Sequence, residues 1–344
     1  MLAEKGINCI YLNPVKYEGS DSVQRFQSVN KREVPANLSV IDRSCQIGKS
    51  FILFLYENLL NIQAVRKYKP DAVISTDHLM AALVCLYCRF KGIKFVFDVT
   101  DNWELVDTSA AGKLYKWILK PQLARNAYYV TATSQVQFDF FNNKRKRNTL
   151  LLSNAIPNEV FRQLKDTGQT SNITKSVNFI GSLRNWYDFE LLFDVFSQLP
   201  EIELNIYGKG ELYNELVMKS AAYSNINILG SVDFSKTASI LKNSLFGVLP
   251  LKLNELNNST CPIKLFDYWG AGKAVISTPV AEVRRVGGDS VLYAATVQEF
   301  ISQIRLLLSN PDLSSNLGKK GLEKVEQIHN YQYIADKFIE ILNF

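Results

Sequence analysis

Histidine is almost missing from this chain: His78 and His329 are the only two, far apart in sequence. A zinc site built on imidazole is therefore not expected, and no metal is assigned. Cysteine is also thin. The five (Cys9, Cys45, Cys85, Cys88 and Cys261) are scattered and odd in number, which argues against a disulfide framework. Cys85 and Cys88 form a CxxC, but inside an apolar helical run, where they read as small buried hydrophobes rather than a redox or metal pair. No apolar run approaches the roughly 18–20 residues that a membrane-spanning helix needs. The longest, Phe51–Leu55 and Leu79–Leu86, fall well short. The opening MLAEKGINCIYLNP reads as the end of a helix, a turn at Gly6 and a strand, not as a secretory leader, so the expected compartment is the cytoplasm. No G-x-G-x-x-G follows a strand and opens a helix, which weighs against a Rossmann oxidoreductase.

What is present is a chain of 344 residues, 47% apolar and 21% charged, long enough for two hydrophobic cores. Its net charge of +6 is unevenly spread. Residues 1–150 hold 21 Lys and Arg against 13 Asp and Glu, a net of +8, whereas residues 151–344 hold 18 against 20, a net of −2. The first half therefore suits an anionic partner such as a lipid surface, a nucleic acid or a phosphorylated substrate, or else carries a solvated basic face.

Short β-rich runs alternate with helical patterns, the signature of parallel βαβ architecture. The expected strands are Asn8–Leu12, Ala72–Ser75, Lys94–Val99, Tyr128–Thr131 and Thr149–Leu152 in the first half. In the second they are Val177–Ile180, Glu203–Tyr207, Ile226–Leu229, Phe246–Leu249, Ala274–Ser277 and Val291–Tyr293. Asp188–Gln198 and Thr296–Leu308 read as helices. The polar stretch Pro157–Lys175 reads as a linker. This predicts an α/β chain of two doubly wound domains facing a cleft, residues 1–160 and 170–327, with 328–344 able to pack back on the first. Ligands in such sheets bind beyond the carboxyl ends of the strands.

Three glycine turns follow three successive strands of the second half: VNFIGSL with Gly181, LNIYGKGEL with Gly208 and Gly210, and NILGSVD with Gly230. Each lets backbone approach a ligand closely. Downstream, Pro262 suits the first turn of a helix, with Thr260 or Cys261 preceding it. Lys264 in that first turn is misplaced for the helix dipole alone and makes sense if an anion binds there. Asp267, three residues on, shares its face and can accept hydrogen bonds from ribose hydroxyls. The competing reading is a surface Lys–Asp pair on an ordinary helix.

The segment PIKLFDYWGAGKAVIST resembles the Pro-x-Lys-hydrophobic-aromatic-acid-Tyr signature, followed by Gly-Lys-Ala-Val, of family-4-like glycosyltransferases of the GT-B fold. IYGKGEL, INILGSV and LLLSNAIPNEVF match the same family, so the resemblance spans about residues 1–340. It implies a metal-independent, hexosyltransferase-like enzyme of polysaccharide or glycolipid biosynthesis. Such an enzyme needs no cofactor beyond its co-substrate, a UDP- or GDP-sugar, and transfers to a lipid-linked or saccharide acceptor. By resemblance, Asp267 falls at the ribose acid, Lys264 at the diphosphate, Gly181 at the first glycine turn and Ser231–Val232 at the base. Two positions depart from the pattern. Ser259 stands where many relatives carry Glu toward the sugar, and the cations after the first glycine turn are replaced by Ser182 and Tyr187, with Arg184 able to substitute. Relatives also open with a strand and glycine loop before the helix that LAEKG resembles, so the first strand and its loop are expected to be absent. These departures keep a second reading open: a catalytically impaired glycosyltransferase-like protein that binds nucleotide or a partner enzyme.

In the first half, strand Lys94–Val99 runs into Asp98 and Asp101. Two carboxylates at a strand's carboxyl end suit a general base or acceptor contact, although Asp98 can equally cap a turn. Asp77 reads as a helix N-cap and His78 as a lesser candidate for substrate contact. Lys113, Lys116, Lys120 and Arg125, interleaved with apolar residues, and the run Lys144–Arg147 suit docking on an anionic membrane. No nucleic-acid motif accompanies that charge, so no nucleic-acid partner is expected. The expected location is peripheral, on the inner face of the cell membrane.

Overall fold

The computed structural model describes residues 2–16, 38–45, 51–76, 81–100, 102, 105, 109–145, 148–166 and 175–343. Asp77, His78, Asp101 and the pair Lys146 and Arg147 lie outside the described residues. The chain divides into two units. One comprises Met1–Ala132, Gln137–Leu151 and Ala335–Phe344; the other comprises Thr133–Val136 and Leu152–Ile334.

In the first unit, β1 (Cys9–Lys16) pairs in parallel with β2 (Leu38–Cys45). A four-stranded parallel sheet follows in sequential order: β3 (Ala72–Ser75), β4 (Lys94–Val99), β5 (Tyr129–Ala132) and β6 (Thr149–Leu151). Strand β2 escaped sequence reading because LSVIDRSC breaks its apolar alternation at Asp42 and Arg43. Helix Ala82–Lys91 buries Ala82, Val84, Cys85 and Cys88 and stops at Gly92, whose φ of 70° is left-handed. Both CxxC sulfurs are fully buried, and desolvation pushes the thiols up, to about 12 at Cys85 and about 11 at Cys88. They are core residues and inert. A helical stretch, 110–126, contains a π turn at Tyr115–Leu119 just ahead of Pro121. Proline lacks the N–H of a regular helix interior, and the wider turn accommodates the loss. Tyr115, Leu123 and Ala124 are buried against Phe95, Phe97 and Phe141.

The second unit has two three-stranded parallel sheets. One has the order β7 (Ser176–Ile180), β8 (Glu203–Tyr207), β9 (Ile226–Gly230) and the other β10 (Gly247–Leu249), β11 (Val275–Ser277), β12 (Val291–Tyr293). They meet at β7 and β10, where the Leu245 N–H donates to Ser176 O at 2.9 Å and the Asn178 N–H to Ser244 Oγ at 2.9 Å. The resulting order, β9-β8-β7-β10-β11-β12, is that of a doubly wound dinucleotide fold, and it reverses direction between β7 and β10. An amide ladder pins the register. Asn227 Nδ2 donates to Asn205 Oδ1 at 3.0 Å, Asn205 Nδ2 to Asn178 Oδ1 at 3.1 Å, and Asn178 Nδ2 to Ile240 O at 2.9 Å. The expected second-half strands are present within a residue at each end.

The expected linker Pro157–Lys175 needs correction. Asn158–Asp166 is a helix that buries Val160 and Leu164. Those two residues, four apart with Phe161 between them, form an apolar stripe that the polar tail of the segment obscured.

Candidate functional site

The site is assembled at the reversal point between β7 and β10. Gly181 follows β7 directly, and its N–H donates to Tyr207 O at 2.9 Å; the Gly208 N–H donates to Gly230 O at 2.7 Å, and the Leu183 N–H to Lys209 O at 3.0 Å. The three glycine turns are thus laced into one surface. Two of the glycines are obligatory by space. A Cβ on Gly208 would stand 1.8 Å from Gly181 O, and one on Gly210 would stand 2.2 Å from Leu183 O. Gly230 closes β9 with φ +68°, followed by exposed Ser231 and half-buried Val232.

Helix Ile263–Gly270 starts one residue later than the sequence suggests, with Pro262 as its N-cap rather than in its first turn. Pro262 gives no side-chain cap, so the helix start has backbone N–H groups that no proline side chain covers. Leu265, Phe266, Tyr268 and Trp269 are all fully buried, and they fix the rotation of this helix. Tyr268 donates to Asn178 O at 3.0 Å, Phe266 stacks on His329 with ring centroids 4.4 Å apart, and Gly321 lets Trp269 lie against helix Pro311–Gln327. With that face anchored, Lys264 and Asp267 share the opposite one. Lys264 Nζ donates to Asp267 Oδ2 at 2.9 Å. The Lys264 chain passes over the first glycine turn: its Cε lies 3.0 Å from where a Gly181 Cβ would be. Burial alone would lower the Lys264 pKa. The adjacent Asp267 carboxylate outweighs that and holds the ammonium above its ordinary value, so it is charged at neutral pH. The arrangement is a cation beside a helix start and a glycine turn, with a carboxylate acceptor one turn on. Chemically it can hold a phosphate and hydroxyls together.

The other sequence candidates fall differently. Ser259 is 1% exposed and its hydroxyl donates to Leu256 O at 2.9 Å, closing the short helix Glu255–Asn258. Arg184 is half-exposed and pairs with Glu211 at 3.5 Å, a weak contact that a ligand can displace. Two residues were missed by sequence reading, and a third, Tyr187, entered it only as a departure from the family pattern. Asn257 Nδ2 donates to Trp186 O at 2.8 Å and Lys252 O at 2.7 Å, locking the loop before the helix. Asn154 Nδ2 donates to Cys261 O at 2.7 Å. Tyr187, buried, sits within electrostatic range of Lys264 and Asp267. No signal short of the fold marks such roles.

In the first unit, Asp98 Oδ1 accepts from the Thr131 hydroxyl at 2.6 Å across the β4–β5 pair. Burial pushes its carboxyl above the ordinary range, and the Thr131 bond partly opposes this. Lys120 is not a surface cation as expected. It is 5% exposed and its ammonium lies 4.2 Å from the Phe140 ring. Lys113 and Lys116 are exposed, next to Trp117 and Ile118, which are 72% and 59% exposed. No helix among the described residues is long and apolar enough to cross a membrane.

The family profile Glyco_trans_1_2, described as glycosyl transferase-like, matches residues 184–340. No curated protein sequence matches the chain. Among solved structures it is similar to Anabaena Alr3699/HepE in complex with UDP, at 13% identity and a TM-score of 0.70, over 98% of this chain and 100% of that one. It is similar to sucrose-phosphate synthase from Thermosynechococcus elongatus, at 14% identity and a TM-score of 0.68, over 98% of each chain. It is also similar to the lipopolysaccharide outer core galactosyltransferase WaaB, at 14% identity and a TM-score of 0.62, over 97% of this chain and 98% of that one. The fold is therefore GT-B, α/β with two Rossmann-like units.

Proposed function

We propose that this chain is a family-4-like glycosyltransferase that takes a hexose from a UDP- or GDP-sugar and transfers it to a lipid-linked or saccharide acceptor in cell-surface polysaccharide or glycolipid assembly. The observation that carries the reading is the Lys264–Asp267 pair, set over Gly181 where the strand order reverses. Support comes from the fold shared with Alr3699/HepE, which has been solved with UDP and with UDP-glucose. On this reading the diphosphate sits at the start of helix Ile263–Gly270 against Lys264, and Asp267 takes the ribose hydroxyls. Gly181, Gly208 and Gly210 admit the ligand to the backbone, and Gly230, Ser231 and Val232 face the base. Arg184 leaves Glu211 for the phosphates, and Ser259 borders the sugar.

The reaction breaks the bond between the anomeric carbon and the diphosphate while the acceptor oxygen bonds that carbon. Negative charge grows on the departing phosphate oxygens. A fixed ammonium and oriented N–H groups stabilise that charge without a metal. Asp98 and Asp101 are assigned to the acceptor, where the raised pKa of Asp98 suits accepting its proton. The reading places the protein in the cytoplasm, peripheral on an anionic membrane through Lys113, Lys116, Trp117 and Ile118.

The second reading, a catalytically impaired glycosyltransferase-like protein that binds nucleotide or a partner enzyme, is favoured by Ser259 being turned onto Leu256 O. A thermal-shift screen with UDP, GDP and their sugars tests the first step. A rise in Tm with one base series is expected, and no shift with any nucleotide would contradict the first reading. Release of nucleoside diphosphate on adding acceptor extracts then separates them.

A further inference from the structure

The first unit carries a hollow of about 670 Å³ at the amino-terminal edge of its sheet, the edge away from the carboxyl ends of the strands. Three helices end there: Ala82–Lys91, 110–126 and Gln135–Arg145. Its lining includes Arg89, Lys94, Arg125, Lys144 and Arg145, and no Asp or Glu.

Cations at helix C-termini have an ordinary structural role, because each end carries a partial negative charge. Part of this cluster fills it. Arg145 donates to Ala124 O and Ala127 O, both at 2.7 Å, and to Tyr128 O at 3.1 Å. Arg89 donates to Arg125 O at 3.2 Å, and Lys94 to Leu342 O. The magnitudes do not balance, however. Three helix ends supply about −0.5 each, roughly −1.5 in all, against five full positive charges. Among the described residues, no Asp or Glu lines the hollow to meet the surplus. Glu340, which acts electrostatically on Tyr129, pairs with Lys337 at 2.7 Å. Asp71 offers its main-chain carbonyl to the Lys94 N–H and is not part of the lining. Arg125 and Lys144 are exposed and reach solvent at the opening, while the carbonyl-bound Arg145 and Arg89 hold the wall rigid behind them.

We propose that this hollow is a second anion site that binds a phosphoryl group, a phosphate monoester, diester or diphosphate, held by Arg125 and Lys144 over a fixed cationic wall. The site lies wholly within the first unit and is independent of the Lys264–Asp267 pair. Guanidinium and ammonium groups grip phosphate by charge-assisted hydrogen bonds, and a pre-formed wall reduces the ordering cost. A lipid headgroup and a soluble phosphate present the same chemistry. Phe90, 82% exposed and adjacent to Arg89 on the same helix, is an apolar neighbour that a headgroup with its chains could use.

Titration calorimetry of the full chain with inorganic pyrophosphate, and co-sedimentation with phosphatidylglycerol–phosphatidylcholine against pure phosphatidylcholine vesicles, tests the site. Arg125→Gln/Lys144→Gln is expected to weaken at least one of the two by about tenfold or more. Lys113→Gln/Lys116→Gln, with the same loss of charge, should keep pyrophosphate binding. Lys264→Ala should leave the effect of the Arg125 and Lys144 changes in place, which separates this site from the nucleotide site. Loss with vesicles alone assigns a headgroup; loss with pyrophosphate alone assigns a soluble phosphate. Equal binding by the wild type and a folded Arg125→Gln/Lys144→Gln variant in both arms would overturn the proposal, as would an equal loss of pyrophosphate binding in the Lys113/Lys116 control.

Discussion

Two titrating residues give this molecule a defined pH response. His329 is 5% exposed, stacked on Phe266, with Nδ1 3.3 Å from Asn154 O. Burial lowers its pKa from 6.5 to about 4. The folded state therefore prefers the neutral ring, and the unfolded state binds more protons between those values. That stabilisation is complete above pH 6.5 and is lost as pH falls toward 4, by up to about 3 kcal/mol. Urea unfolding across this interval should show the fall, and His329→Gln should flatten it. Asp98 has the opposite sign. Its pKa is raised above the ordinary 3.8, so the folded state prefers the protonated form, and its contribution is present at low pH and lost as pH rises through the folded value. Asp98→Asn keeps the acceptor for the Thr131 hydroxyl and should remove that dependence. If Asp98 serves the acceptor, the same variant should slow transfer and leave nucleotide affinity unchanged, as steady-state kinetics beside calorimetry would show.

At the scale of elements, glycines separate stability from binding. A Cβ on Gly321 would stand 2.1 Å from the Trp269 ring, wedged between helix Ile263–Gly270 and its neighbour Pro311–Gln327. Gly321→Ala should cost about 1–3 kcal/mol by overpacking. Gly181→Ala would meet first the Lys264 chain, at 3.0 Å, and the Phe179 ring, at 3.3 Å. It should displace Lys264 and lower nucleotide affinity at a smaller cost in stability. The reverse ranking in thermal melts would contradict this packing. These elements also mark how far the sequence could be read. The strands of the second unit were legible because each is a short, largely apolar run that ends near a glycine or polar turn, and the Lys264–Asp267 pair because its spacing puts both on one helical face. The sites of Lys120 and Ser259 were not legible. Lys120 is drawn onto Phe140 only by the folding of two helices, and Ser259 is turned inward by the end of a four-residue helix. Arg125 and the run Lys144–Arg147 stood out as basic in sequence, but their convergence with Arg89 and Lys94 on one hollow was not legible, because it depends on where separate helix ends meet.

At the scale of the whole molecule, the +8 charge of residues 1–150 should make vesicle binding electrostatic. Co-sedimentation with anionic vesicles is expected at low salt and should fall as the Debye length shrinks to about 8 Å at physiological ionic strength. Reversing Lys113 and Lys116 to Glu should weaken it, and equal binding to neutral vesicles would remove the electrostatic account. The proposed nucleotide site draws on other residues and should be indifferent to those changes. The account therefore stands or falls on titration calorimetry of UDP and GDP against the wild type and Asp267→Ala. It predicts that one nucleoside diphosphate binds the wild type and that Asp267→Ala weakens it by about 1.5–3 kcal/mol, the scale of a hydrogen bond to a charged group. An unchanged affinity in a folded Asp267→Ala variant, or no affinity in the wild type, would contradict it.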